Sequence, residues 1–490
     1  MLTEALLGLL LLVILYLATK KPSGLPPGIW GWPLVGRLPS HDLTLGEQVK
    51  QLRPIYGDII TWRIGSRVNV FLCNFNLIKA AFSKLEFSDR PDLYTFKMFG
   101  EDQQGIVFSN GMKWHTNRRF VLRQLRDLGM GKSRLEVAIQ HEASCLVEEL
   151  KKHTGKPQPL PLSCNVAVLN VIWKLVADHR YNLTDKEPQY FISLVDAVTH
   201  NMQGAVNIFN YLPWLVGITP QFIKNWLGIS NLLSSIKEVQ DYMTTFIEEH
   251  LASLDPANPR DLLDAYLIDM QEENRSISTS NLRSIQMVMN DLFGAGTETT
   301  STMIRWAILF LAKYPEVQAK VQQEIDAAVP RDTLPSIEHK DKLAYFEAMI
   351  HEVHRVVSLT PLSVSHATTQ EMQFEGYTLP KGTVVMAHVE CCHHDPKLWE
   401  KPHEFYPEHF LDNQGKFAAK KEGFAPFSIG RRSCVGESLA RMELFVFLSA
   451  MLQNFTFSAP EGEELSTERD PKEFIMSFPK PYSIIMKERK

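Results

Sequence analysis

Cys434 lies in the stretch FSIGRRSCVGE, Phe427 to Glu437, behind two arginines and between two glycines. A cysteine so placed can fill a core, form half a disulfide, bind zinc, act as a nucleophile or ligate iron. Gly430 and Gly436 permit a tight loop whose backbone can approach a flat ligand. Backbone N–H groups around the sulfur, with Arg432 nearby, favour thiolate over thiol. The amphipathic run ESLARMELFVFLSAMLQ follows at once, so the cysteine precedes a helix N-terminus, whose dipole also favours an anion. No other cysteine or histidine lies close enough in sequence to share a zinc ion. A nucleophile remains open, although no base is identifiable. A lone thiolate in a glycine loop suits one end of a metal cofactor.

Other stretches carry possible chemistry. Ser280 to Lys313 reads as one long apolar helix with Gly294 and Gly296 in its middle, each costing on the order of 1 kcal/mol of helix propensity against alanine. Polar Thr297, Glu298, Thr299 and Thr300 follow. Close packing through small residues, with threonines bonded back to carbonyls, explains this as well as a functional site does. EVHR sets Glu352 and Arg355 three apart on one helical face, an ordinary ion-pair spacing. The overlapping His351-Glu352-Val353-His354 spaces its histidines three apart, not the four that a zinc protease helix needs. CCHHD, Cys391 to Asp395, has no partner cluster at zinc spacing. WHTNRR offers Trp114 and Arg118 at i, i+4, both hydrogen-bond donors only and suited to anionic oxygens. Arg119, Arg123 and Arg126 fall on a neighbouring face, either solvated or docking an acidic partner.

The elements that must position these groups are mainly helical, with a small β portion. Periodicity marks helices at Gln140 to Lys151 and Ile236 to Leu254. DIITWRIGSRVNVFLC reads as a hairpin turning at Gly65-Ser66, and GYTLPKGTVV as a second one. The 490 residues, 44% hydrophobic, show no linker or repeat after residue 40, so one large domain is expected over 41–490. A net charge of −5 gives no case for nucleic-acid binding. Six irregularly spaced cysteines make no disulfide framework and favour a reducing compartment. Residues 1–20 read as an uncleaved membrane anchor. Leu2 to Thr19 would span about 27 Å as a helix. Lys20 and Lys21 follow the apolar run, which keeps the body cytoplasmic. The proline-rich 21–40 reads as a hinge.

Phe427-x-x-Gly430-x-Arg432-x-Cys434-x-Gly436 resembles the haem-binding signature of the cytochrome P450 monooxygenases at every specified position. Glu352-x-x-Arg355 resembles their ion-pair motif, and Ala295-Gly296-Thr297-Glu298-Thr299 their oxygen-activating helix. Trp114-x-x-x-Arg118 resembles their propionate-binding helix. The resemblance covers the chain from about Pro26 to the end and implies a single large fold of that family. It implies that Cys434 is the proximal thiolate on the iron of haem b. It implies that Thr299 with Glu298 relays protons to dioxygen, for which Ala295 and Gly296 make room. Trp114, Arg118, Arg432 and His366 would hold the haem propionates, with Phe427 and Gly436 beside the thiolate. Glu352 and Arg355 would brace the fold. The arginine stripe would face a flavoprotein, NADPH–cytochrome P450 reductase, at the endoplasmic reticulum membrane. Two positions depart from the common pattern. Ser365 replaces a proline before His366, and His409 replaces arginine in PEHF.

Three function classes follow: a monooxygenase, a haem-thiolate isomerase or dehydratase, and a non-catalytic haem sensor or carrier. The Glu298-Thr299 pair favours the first. Phe99, Ile106, Phe108, Leu359 and Leu362 make an apolar lining, so the substrate is lipophilic. RRFVLRQLRDLGMGK resembles arthropod members, best of all the epoxidases that make juvenile hormone from methyl farnesoate. Detoxification of foreign compounds is the second reading and ecdysteroid hydroxylation the third.

Overall fold

The computed structural model describes Gly8 and residues 20–100, 105–127, 133–272 and 279–489. The expected anchor lies outside these apart from Gly8 and Lys20. Among the described residues no helix is long and apolar enough to cross a membrane. The helices of eight residues or more are α1 (Leu45–Tyr56), α2 (Phe75–Phe82), α3 (Gly111–Asp127), α4 (Ser133–Lys151), α5 (Ser163–Ala177) and α6 (Lys186–Asn201). After them come α7 (Ile229–Ser253), α8 (Leu262–Glu272), α9 (Thr279–Lys313), α10 (Pro315–Ala328), α11 (Ala344–Val357) and α12 (Glu437–Asn454). The strands are β1 (Gly28–Ile29), β2 (Ile59–Ile64), β3 (Arg67–Leu72), β4 (His366–Ala367), β5 (Met372–Phe374), β6 (Tyr377–Leu379), β7 (Val384–Ala387), β8 (Phe455–Ser458) and β9 (Ile485–Glu488). The molecule is thus mainly α with a small β portion, as the patterning requires.

One sheet has the order β1-β2-β3-β7-β4, while β5-β6 and β8-β9 are separate antiparallel pairs. The β2–β3 hairpin turns at Gly65-Ser66 as expected. Gly65 has φ 63°, and a Cβ there would lie 1.9 Å from the Tyr211 carbonyl. The second expected hairpin pairs differently. β6 turns back on β5 across Glu375-Gly376, both with positive φ (49° and 80°), as a two-residue primed turn demands. β7, buried along its length, enters the main sheet between β3 and β4. Its VVMA run has no polar face to leave in water. The expected hinge is docked on the body from Gly24 onward. The Gly24 carbonyl accepts from Thr378 N at 2.8 Å, the Pro27 carbonyl accepts from Thr61 N at 2.8 Å, and Leu25 is buried.

α9 passes through the interior. Ile285, Val288, Met289 and Phe293 are buried before its glycines, and Ile304 and Trp306 to Leu311 after them. Trp173 of α5 packs on Phe293 with ring centroids 4.2 Å apart. α11 carries the brace. Arg355 forks onto Glu352 at 2.7 and 2.8 Å and spends its remaining donors on the His393, Pro402 and Glu404 carbonyls. His409 Nδ1 lies 3.2 Å from both Glu352 oxygens, so histidine fills the third place of this buried network. With every charge bonded, the pair escapes the cost of an uncompensated buried ion.

Candidate functional site

The cysteine loop is built against the end of α2. The Phe82 carbonyl accepts from Arg431 N at 3.1 Å, and a Cβ on Gly430 (φ 82°) would lie 2.1 Å from that same oxygen. Only glycine fits. Cys434 N donates to the Phe427 carbonyl at 3.0 Å and closes the loop, while the Phe427 ring lies under the Arg441 guanidinium. Gly436 caps α12, and a Cβ on it would meet only Cys434 Sγ, at 3.9 Å. The sulfur is accessible although protein surrounds it. Burial pushes the thiol up. The N–H groups of Gly436 and Glu437, and Arg118, oppose this, but with the Glu437 charge adding to it the thiol stays above its usual range, contrary to the thiolate preference expected of the loop. The cation whose charge acts on the thiol is Arg118, whereas Arg432 turns to the carbonyls of residues 88, 106 and 109.

Arg118 Nη2 donates to the Ser433 carbonyl at 2.7 Å, tying α3 to the loop. Trp114, one turn earlier, is buried, and its Nε1 has no partner. Arg432 stacks 4.0 Å over the Trp114 ring and donates to the Ser88, Ile106 and Ser109 carbonyls. Arg90, which no motif flagged, joins them through the Val107 and Ser365 carbonyls. Burial, then mutual repulsion, push Arg90 down to about 9 and Arg432 to about 8, with Asp89 and Asp291 as opposing charges. A guanidinium keeps its proton regardless, so these shifts register first the burial of the cations and then their repulsion. His366 does not extend the cluster. Burial, then Arg90, hold it well below its usual range, so it is neutral. Its Nδ1 donates to the Phe87 carbonyl at 2.7 Å, which leaves Nε2 an acceptor. Its Nδ1 is thus committed to the Phe87 carbonyl, and the propionate role expected of it would fall to Nε2.

On α9 the open positions are Gly294 and Ala295, exposed in the middle of an otherwise buried helix. Gly296 differs from expectation. Its Cβ direction runs into Ile172 Cδ1 at 2.6 Å, so it is glycine for close packing on α5. Thr299 Oγ1 donates to the Ala295 carbonyl at 2.8 Å. Glu298 is buried and turned elsewhere, accepting from Thr302 Oγ1 at 2.9 Å and pairing with Arg305. The segment 105–107 joins α9 to the cysteine loop. Asp291 accepts from Ile106 N at 2.5 Å and Val107 N at 2.9 Å, while the Ile106 carbonyl accepts from Arg432. Phe96, Phe99 and Phe108 stack beside it, with centroids 4.0 and 5.5 Å apart. Residues 105–107 thus link the arginine of the cysteine loop to α9, the helix that carries the Thr299 hydroxyl. The CCHHD stretch takes no part in this link. His393 accepts from Ala425 N and bonds Ser358 Oγ, and all six cysteines are unpaired.

The family model described as Cytochrome P450 matches residues 26–486. Cytochrome P450 2L1 of Panulirus argus is 71% identical over 492 aligned residues, covering 100% of both chains. Cytochrome P450 2C39 of Mus musculus is 38% identical over 457 residues, 92% of this chain and 91% of the relative. Cytochrome P450 2J2 of Homo sapiens is 36% identical over 461 residues, 92% and 89% of the two chains.

Proposed function

Because the chain belongs to the cytochrome P450 family and is a haem-thiolate monooxygenase, we propose that it inserts one atom of O2 into a lipophilic molecule beside α9, with electrons from NADPH arriving through a flavoprotein reductase. The observation that carries this reading is the glycine-turned loop that leaves Cys434 accessible ahead of α12, with Arg118 tied to Ser433 and Trp114 stacked under Arg432 beside it. The residues present fit haem b. Cys434 would ligate iron with Phe427 and Gly436 beside it. The unpaired Trp114 N–H and the guanidinium groups of Arg118 and Arg432, with Arg90 behind them, would take the two propionates. When bound, the haem supplies oxygen activation, which its thiolate ligand favours.

The chain's own residues then bind, orient and move protons. The Thr299 hydroxyl, oriented by the Ala295 carbonyl, passes a proton at Oγ1, and Glu298 replenishes it. Phe96, Phe99, Phe108 and Ile106 exclude water and hold an apolar substrate. Arg119 and Arg126 are exposed on α3, and Arg123 reaches Asp269 at 3.2 Å. This basic stripe supports docking of an acidic flavoprotein by long-range attraction. Localisation at the endoplasmic reticulum membrane, with residues 1–20 as its anchor, is supported by exposed apolar side chains on either side of the Gly65 hairpin tip. Trp32 and Leu34 lie on one side, and Ile218, Phe222 and Trp226 on the chain that continues from Tyr211 on the other. Exposed apolar side chains of this size suit a lipid surface.

For the substrate, epoxidation of methyl farnesoate is the specific reading, resting on the resemblance of the α3 region. An aromatic wall of Phe residues supports oxidation of varied foreign compounds as the second. Reconstitution with a reductase and NADPH, offering methyl farnesoate beside drugs and steroids, separates them by mass spectrometry. One fast epoxide supports the first, and slow scattered products support the second. A carbon-monoxide complex without the thiolate-type Soret band, or one that keeps that band in Cys434→Ser, overturns the cofactor assignment.

A further inference from the structure

The short helix Tyr94–Lys97 carries Phe96, which stacks on Phe108 in the apolar wall. Its cap residue, Leu93, has no side-chain oxygen, so the N–H of Thr95 needs an acceptor from elsewhere. Asn210 supplies one from 115 residues away in the chain. Thr95 N donates to Asn210 Oδ1 at 3.0 Å, and Thr95 Oγ1 accepts from Asn210 Nδ2 at 3.0 Å. Asn210 Nδ2 also donates to Asn207 Oδ1 at 2.8 Å. The Asn210 carbonyl accepts from Arg67 Nε at 2.9 Å, beside the bond from Ser66 N to the Tyr211 carbonyl. Thr95 and Asn210 are both buried. Around them Tyr94 packs on Phe209 with ring centroids 5.4 Å apart, and Phe99 and Phe209 share one apolar cluster on which Phe108 packs. A single buried residue thus joins the β2–β3 hairpin, the segment between α6 and α7, and the helix that presents Phe96.

We propose that Asn210 is a positioning residue for the substrate: by capping the Tyr94–Lys97 helix from across the fold, it fixes the direction of Phe96 and of the ring stack that a lipophilic molecule meets. Asn210 touches no reacting atom and acts through Thr95. A primary amide offers an acceptor and two donors in one plane, so it can match an N–H and a hydroxyl at once. A side chain without these groups leaves the Thr95 N–H and hydroxyl buried and unpaired, which costs more than the bonds themselves contribute. A helix of one turn has too few internal bonds to hold its own shape and depends on such outside contacts. Without the cap, Phe96 loses its fixed direction. The groups around the thiol, which hang from α3 and the cysteine loop, keep theirs. This inference rests on the reading of Phe96, Phe99 and Phe108 as the substrate wall.

The test titrates ferric holoenzyme with imidazole, phenylimidazole and biphenylylimidazole, reading each affinity from the Soret shift. Imidazole ligates iron without needing the wall, and each added ring reads the wall. Asn210→Ala is expected to leave the imidazole affinity unchanged and to weaken biphenylylimidazole roughly three- to tenfold, the equivalent of about one net hydrogen bond. Asn210→Asp keeps an oxygen for the Thr95 N–H and hydroxyl and is expected to recover most of that loss. Thr95→Val, which removes only the hydroxyl, should fall between. Phe108→Ala, which truncates the wall itself, is the reference. If Phe108→Ala weakens biphenylylimidazole and Asn210→Ala does not, the Asn210 assignment falls alone. If Phe108→Ala also changes nothing, the wall reading falls with it. An equal loss for imidazole and the larger ligands in Asn210→Ala, not recovered by Asn210→Asp, marks a merely structural residue and overturns the proposal. Should Asn210→Ala fail to hold haem, the other two variants decide. Ring-dependent weakening in Thr95→Val together with near wild-type affinities in Asn210→Asp upholds the assignment, and absence of either overturns it.

Discussion

Trp114 carries a buried indole N–H with no partner, four residues before an arginine that already holds the cysteine loop. Both are donors without acceptor capacity, and their helical spacing made this pair legible in the sequence. Arg90 was not, because a single arginine in SDRP has no pattern and joins the cluster only through carbonyls of residues 107 and 365. His366 was legible as a polar residue near the site, but its ring direction was not. Trp114→Phe keeps an aromatic ring under Arg432 and removes the donor. Since a hydrogen bond to a charged group is worth about 1.5–3 kcal/mol, haem should transfer to an apo-globin acceptor roughly tenfold or more faster than from wild type. An unchanged rate would remove Trp114 from the propionate set.

At the scale of the element, α9 shows two glycines in one motif doing different work. A Cβ at Gly296 meets Ile172 Cδ1 at 2.6 Å, whereas one at Gly294 meets nothing within 4 Å. Gly294→Ala gains helix propensity of about 1 kcal/mol without a clash and should leave the melting temperature equal or higher. Gly296→Ala gains the same propensity but overpacks by about 1–3 kcal/mol, so it should melt lower. Adding Ile172→Val, which shortens the side chain that is struck, should recover part of the loss. Equal melting points for the two single variants would show that α5 yields freely. The sequence revealed a helix willing to accept glycine, but not which glycine met a neighbour.

For the whole molecule, stability against pH turns on Glu443, where α12 presses on α9. Its carboxyl is buried and is pushed up to about 8 by burial, the Thr300 hydroxyl opposing. The unfolded chain ionises this group in the ordinary range near 4.5, so between about 4.5 and 8 it releases a proton that the folded protein keeps. Stability therefore falls as pH rises through that window, by a few kcal/mol in order of magnitude. Glu443→Gln stays neutral in both states and should flatten the difference between denaturation midpoints taken at about pH 5 and about pH 8. The same fall with pH in wild type and variant would assign it to other groups. Nothing local in ARMELF distinguishes Glu443 from a surface acid. It is buried because α12 lies between α4 and α9.

The sequence by itself determined the helical class, the order of the chemical groups and the glycine-lined cysteine loop before α12. These depend on spacing, propensity and backbone freedom within a few residues, which the chain carries locally. Tertiary structure alone decided that Arg118 ties α3 to the cysteine loop, that Arg90 joins the cationic rim and that β7 leaves β6 for the main sheet. It also decided that Glu298 turns from its neighbour Thr299 toward Thr302 and Arg305. Each of these is a choice among partners distant in the chain, and packing makes it: a buried side chain takes the one direction in which its polar atoms and charge find a match.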